Sequence, residues 1–102
     1  MAPMRLSASA TRTIREKARA AFGPNTRVLL FGSRTDDRAR GGDIDLLIEV
    51  DHPLGNRAAA AARLEAELQI ALGDQRIDIL LVDPNTIPQP IHTAARRTGV
   101  PL

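Results

Sequence analysis

Three aspartates and a Gly-Ser pair carry the chemical content of this 102-residue chain. Asp43 and Asp45 flank Ile44, so in an extended strand both carboxylates stand on one face while Ile44 points into the core. Two neighbouring carboxylates without an evident counter-charge repel each other, and a bound hard divalent cation with oxygen ligands is the usual remedy. Upstream, Gly32-Ser33 follows a short apolar run. A glycine there lets backbone approach a ligand, and N–H groups plus a hydroxyl can hold a phosphate. Downstream, Asp78 lies near the start of Arg76-Ile77-Asp78-Ile79-Leu80-Leu81-Val82 and supplies a third carboxylate. Each signal has a plain alternative. An Asp-x-Asp pair also arises from polar/apolar alternation at a strand end, and Asp78 can pair with Arg76 or serve as a strand-entry charge.

The elements that must position these groups are legible from periodicity. Residues 28–31 form an apolar run of buried-strand type, and the polar loop that follows holds Arg34, Asp36, Asp37, Arg38 and Arg40 and closes on Gly41-Gly42. That loop can contain a helical turn capped by Ser33, with N–H groups facing a phosphate. Each of its arginines reads equally well as a phosphate contact or a solvated side chain, and Asp36 and Asp37 are expected in solvent. After Asp43 and Asp45 a second strand continues through residues 46–48. The turn-rich stretch 51–56, in which His52 is loop filler, leads to a helix over 57–72 that Asn56 can cap and Gly73 can stop. Its inner side is Ala61, Leu64, Leu68, Ala71 and Leu72. The third strand follows, then a helix over 88–98 with prolines in its first turn, Gly99 at its end and His92 at the surface.

Ahead of all this, Ser7 or Ser9 can cap a helix running to Phe22, with Ile14, Ala18, Ala21 and Phe22 on one face and Arg12, Arg15, Glu16 and Arg19 mostly elsewhere. It reads as a packing helix with a solvated basic face, broken by Gly23-Pro24-Asn25. A strand, a helix of about four turns and another strand can pair in parallel, which brings both strand starts to one end of the sheet. Asp43, Asp45 and Asp78 then converge. The expected architecture is α+β, a three-stranded mixed sheet flanked by helices, with the acids at one edge.

Here the chain resembles a known family, the minimal nucleotidyltransferases of the DNA polymerase β-like superfamily. The resemblance rests on Phe31-Gly32-Ser33, the arginine-rich spacer 34–42, Asp43-Ile44-Asp45-Leu46 and Asp78-Ile79, and it extends over the intervening helix and the terminal Arg96-Arg97-Thr98-Gly99-Val100. One departure is Gly42, where the family often has serine. The resemblance implies that Asp43, Asp45 and Asp78 hold two Mg²⁺ ions. Asp78 would also receive the proton of the attacking hydroxyl, while Gly32, Ser33 and Arg34 bind the triphosphate of ATP. The smallest members of the family serve as antitoxins beside a HEPN-domain toxin and transfer AMP to a tyrosine of that partner, and the size of this chain fits them. Two other readings are an inactive member that neutralises its partner by binding, and a metal-dependent phosphohydrolase. Retention of all three acids and the Gly-Ser pair argues against the first. The lack of a His-rich cluster argues against the second.

Composition narrows the remaining classes. At 102 residues the chain is expected to be one domain with one modest core, leaving acceptor recognition to another chain. Fourteen basic residues against 12 acidic ones give a formal charge of +2, with the two signs mixed along the chain. Phe22 and Phe31 are its two aromatic residues, too few platforms for base stacking, so direct nucleic-acid binding is not expected. Absence of cysteine excludes a disulfide framework and suits a reducing cytoplasm. No apolar run approaches the ~20 residues of a membrane span, and a homo-oligomer is left open.

Overall fold

The computed structural model describes residues 6–31, 43–73 and 76–102, with Asp43 described by its backbone alone. In chain order the elements are α1 (Ala8–Phe22), β1 (Arg27–Phe31), β2 (Asp43–Glu49), α2 (Arg57–Leu72), β3 (Arg76–Val82), α3 (Pro90–Thr98) and β4 (Val100–Pro101). The architecture is α+β, with a mixed sheet of order β3-β2-β1-β4. β1 runs antiparallel to β2 and to β4, and β2 runs parallel to β3, with α2 as the crossover. The sheet therefore has four strands, not three. β4 is only two residues long and contains a proline, so it carries no alternation to detect; at the edge of a sheet the missing proline N–H costs little. Leu102 N–H extends the pairing by donating to Val28 O at 2.9 Å.

Local chemistry sets the helix ends. Ser7 Oγ accepts from Ala10 N–H at 3.1 Å, and Asn56 Oδ1 accepts from Ala59 N–H at 3.0 Å, so each cap satisfies a donor that lacks an intrahelical partner. Gly23 and Gly73 terminate α1 and α2 at φ 107° and 93°, angles that side-chain-bearing residues rarely adopt. α3 begins at Pro90, two residues later than its prolines suggest. Its Gln89 N–H donates to His92 Nδ1 at 3.1 Å, and this end of the helix turns His92 inward: it is 6 % exposed and not the surface residue expected.

Strand alternation splits the core between the two faces of the sheet. Val28, Leu30, Ile44, Leu46, Ile48 and Ile77 pack under α1 and α2, against Ile14, Ala18, Phe22, Leu64 and Leu68. Leu29, Leu47 and Val82 meet Ala95 of α3 on the other face, with Phe31 and Leu80 beside them. Each fully buried aliphatic side chain contributes about 1.5–3 kcal/mol, so the α1/α2 face, with Ile14, Leu30, Ile44, Leu46, Ile48, Leu64, Leu68 and Ile77 all sealed, is the firmer support. Ala21 and Ala71, expected on buried faces, are exposed at the margins of their helices.

Candidate active site

Asp45 and Asp78 stand on the face of the sheet that also bears Leu47 and Leu80. Ile44 anchors this end of β2, since its side chain is wholly buried under α1 and α2 and so directs Asp45 to the opposite face. In the parallel register Asp45 pairs with Asp78, and Asp43 pairs with Arg76. On its other side Asp45 pairs with Phe31, the last residue of β1, after which Gly32-Ser33 begins. Neighbouring strands lie about 4.8 Å apart, so carboxylates at registered positions on one face can share a cation whose oxygen ligands sit at roughly 2.0–2.6 Å. Two hard oxygen donors fit Mg²⁺, the group the resemblance implies. Among the described residues no set of three His, Cys, Asp or Glu side chains converges, the side chain of Asp43 being outside that set.

Asp78 also realises its alternative reading. Arg76 Nε lies 3.7 Å from Asp78 Oδ2, with the two side chains 73 % and 57 % exposed. A pair so wet is weak, and it leaves the carboxylate accessible. Asp45 is half-buried. Gly32, Ser33 and Arg34, together with Asp36, Asp37, Arg38, Arg40 and Gly42, lie outside the described residues.

Residues 11–97 match the family model described as Nucleotidyltransferase domain. The chain belongs to this family. The nucleotidyltransferase domain also resembles a solved structure, a chain in the complex of tri-AMPylated Shewanella oneidensis HEPN toxin with MNT antitoxin. That likeness has a TM-score of 0.67 and 22 % identity, and covers 91 % of this chain and 68 % of that one. At this identity it speaks for a common fold. No curated protein matches the chain significantly.

Another heavily engaged carboxylate of the nucleotidyltransferase domain lies elsewhere. Asp83 is 4 % exposed just past β3. It accepts from Leu54 N–H at 2.8 Å, Asn85 N–H at 2.9 Å, Arg57 Nη1 at 3.0 Å and Thr86 Oγ1 at 3.1 Å. The Leu54 bond, against the opposing effect of burial, leads in holding its carboxyl below the ordinary value. It sits five residues along the sheet from Asp78, about 17 Å in a strand, so its perturbation belongs to a loop clamp and not to the acid pair. A second structural pair is Glu49 with Arg96, which ties α3 to β2, while Arg27 approaches the same carboxylate at 3.9 Å. Asn85 and Thr86 are local partners of Asp83, but the ties to Leu54, Arg57 and Arg96 have no local sequence signature, because they span 26 to 47 residues.

An open cleft of about 540 Å³ lies on the opposite side, between α1 and α2, lined by Phe22, Leu54, Ala60, Arg63 and Leu64. It includes none of the three aspartates. Volume is therefore a poor guide to the site here, and the registered acids a better one.

Proposed function

We propose that this domain is an Mg²⁺-dependent nucleotidyltransferase that moves AMP from ATP to a tyrosine hydroxyl of a HEPN-type toxin, and so acts as its antitoxin in the cytoplasm. The observation that carries the reading is the registration of Asp45 with Asp78 on parallel strands, in a chain that belongs to the nucleotidyltransferase domain family. The fold shared with a chain of the toxin–antitoxin complex supports the choice of partner.

Asp45 and Asp78, joined by Asp43 from the same strand as Asp45, would provide the oxygen ligands. When bound, Mg²⁺ neutralises triphosphate charge and acidifies the attacking hydroxyl. Asp78 takes the phenolic proton on a carboxylate oxygen. The tyrosine oxygen forms a bond to the α-phosphorus, the bond from that phosphorus to the β-phosphate bridging oxygen breaks, and pyrophosphate leaves. Gly32 and Ser33, with Arg34, hold the β- and γ-phosphates through backbone N–H, hydroxyl and guanidinium groups. Acceptor recognition comes with docking of the toxin, which positions the nucleophile and makes a separate acceptor domain unnecessary.

Calorimetry tests the nucleotide site. ATP should bind far more tightly with Mg²⁺ than with EDTA, and Asp45→Asn should remove that difference. Equal affinity in both buffers would dismiss the enzymatic reading.

A further inference from the structure

At the far end of β1 from the acids, a small cavity of about 120 Å³ is lined by Arg15, Arg19, Thr26, Arg27, Pro101 and Leu102, among others. The fold builds it from three directions. Arg15 and Arg19 are four residues apart on α1 and so lie on one face of the helix. Thr26 and Arg27 enter β1, and β4 with Leu102 closes the remaining side. Arg15 and Arg19 form no ion pair among the described residues. Arg27 is 74 % exposed and only 3.9 Å from a Glu49 carboxylate that Arg96 engages more closely, so it is free to turn.

Thr26 is the second observation. It is 3 % exposed, and its backbone N–H donates to Gly23 O at 3.2 Å. Its Oγ1 is nevertheless buried without a partner among the described residues. A buried hydroxyl left unbonded is unfavourable, and Thr26 is part of the cavity lining.

We propose that this cavity is a second anion site, separate from the acids, that takes one tetrahedral phosphate group through Arg15, Arg19, Arg27 and the Thr26 hydroxyl. The volume is about four times the ~30 Å³ share of a water molecule, room for one phosphate group but not for a nucleoside. Guanidinium groups match a phosphate by paired N–H donors, and three at one mouth exceed what a single carboxylate can balance. The source is either inorganic phosphate or the phosphate of a nucleotide whose base stays outside. Phe31 at the opposite end of β1 is four residues from Arg27, about 13 Å along a strand, so one phosphate cannot serve both places.

The test is calorimetric titration of the full chain, in metal-free buffer, with inorganic phosphate and separately with AMP. Saturable binding in the millimolar range is expected. The Arg15→Gln/Arg19→Gln variant should weaken it about tenfold or more, the scale of one charge-assisted hydrogen bond. Arg12→Gln, which removes one positive charge from α1 outside the cavity lining, should not. Thr26→Val should weaken binding while leaving the melting temperature in phosphate-free buffer unchanged or raised. A response to both probes assigns the site to phosphate monoesters, and a response to phosphate alone to the free ion. The proposal is overturned if no saturable binding occurs, if Arg12→Gln weakens it as much as the double variant, or if Ser33→Ala abolishes it while Thr26→Val does not. A Thr26→Val variant that melts lower yet binds phosphate normally would also overturn it, by showing that the hydroxyl serves the fold.

Discussion

Asp78→Asn separates the two roles that Asp78 can play, because their energies differ in size. As a structural group its visible partner is Arg76, at 3.7 Å with both side chains mostly in water. Two unit charges at such a distance attract by about 1 kcal/mol in water-like surroundings, and ordering two mobile side chains reduces the net to about 0.2–1 kcal/mol. In a domain of this size 1 kcal/mol moves the melting temperature by about 4–8 °C, so the variant should melt at most about 8 °C lower, and less so in high salt. As the acceptor of the tyrosine proton, by contrast, Asp78 should be worth about 10²–10⁴ in rate. The assays are thermal unfolding in metal-free buffer at low and high ionic strength, and transfer of labelled AMP by the same preparation. The expected result is a nearly normal fold with transfer reduced a hundredfold or more, to about the lower limit of that range. A fall in melting temperature beyond about 10 °C would assign Asp78 to the fold, and transfer within about threefold of the parent chain would remove it from the reaction.

Two further predictions concern the scaffold. A Cβ on Gly99 would come within 2.5 Å of Ala95 O and 3.1 Å of Leu29 Cβ, so Gly99→Ala should cost about 1–3 kcal/mol in urea unfolding by forcing α3 away from β1; a variant as stable as the parent would show that this joint yields freely. Asp83 has a carboxyl depressed below 3.8, led by the Leu54 N–H, so its contribution is complete above that pH and is lost as pH falls through the lower folded value. Asp83→Asn should therefore be less stable than the parent at neutral pH and converge with it in acid, and an unchanged gap between the two unfolding curves from pH 7 to strong acid would contradict the clamp.

Much of this arrangement is written locally in the chain. Ser7 and Asn56 cap helices because their oxygens reach the N–H three residues on, and Gly23 and Gly73 end them because they tolerate positive φ; such signals need no tertiary partner. The register of Asp45 with Asp78 was also within reach, since a strand, a long helix and a strand pair in parallel with their starts together. What escaped depends on distant partners. Asp83 looks like a turn residue until residues 54–57 fold onto it, and Glu49 shows nothing of Arg96 from its neighbours. His92 is buried because α3 lies on the Leu47 face of the sheet, which no helical periodicity in nine residues determines. Ala21 and Ala71 misled because alanine suits a helix margin as well as a core. β4 gave no signal at all, being two residues that become a strand only because β1 leaves an edge open.

The measurement that bears most directly on the proposed activity is transfer of label from ATP, with Mg²⁺, to a HEPN-type toxin partner. The account predicts label on a tyrosine of the partner and none on free amino acids, with loss of label in the Asp43→Asn/Asp45→Asn variant and loss of neutralisation alongside it. Neutralisation of the toxin by that double variant, as complete as by the parent chain and with no label transferred by either, would contradict the account and leave binding alone as the function.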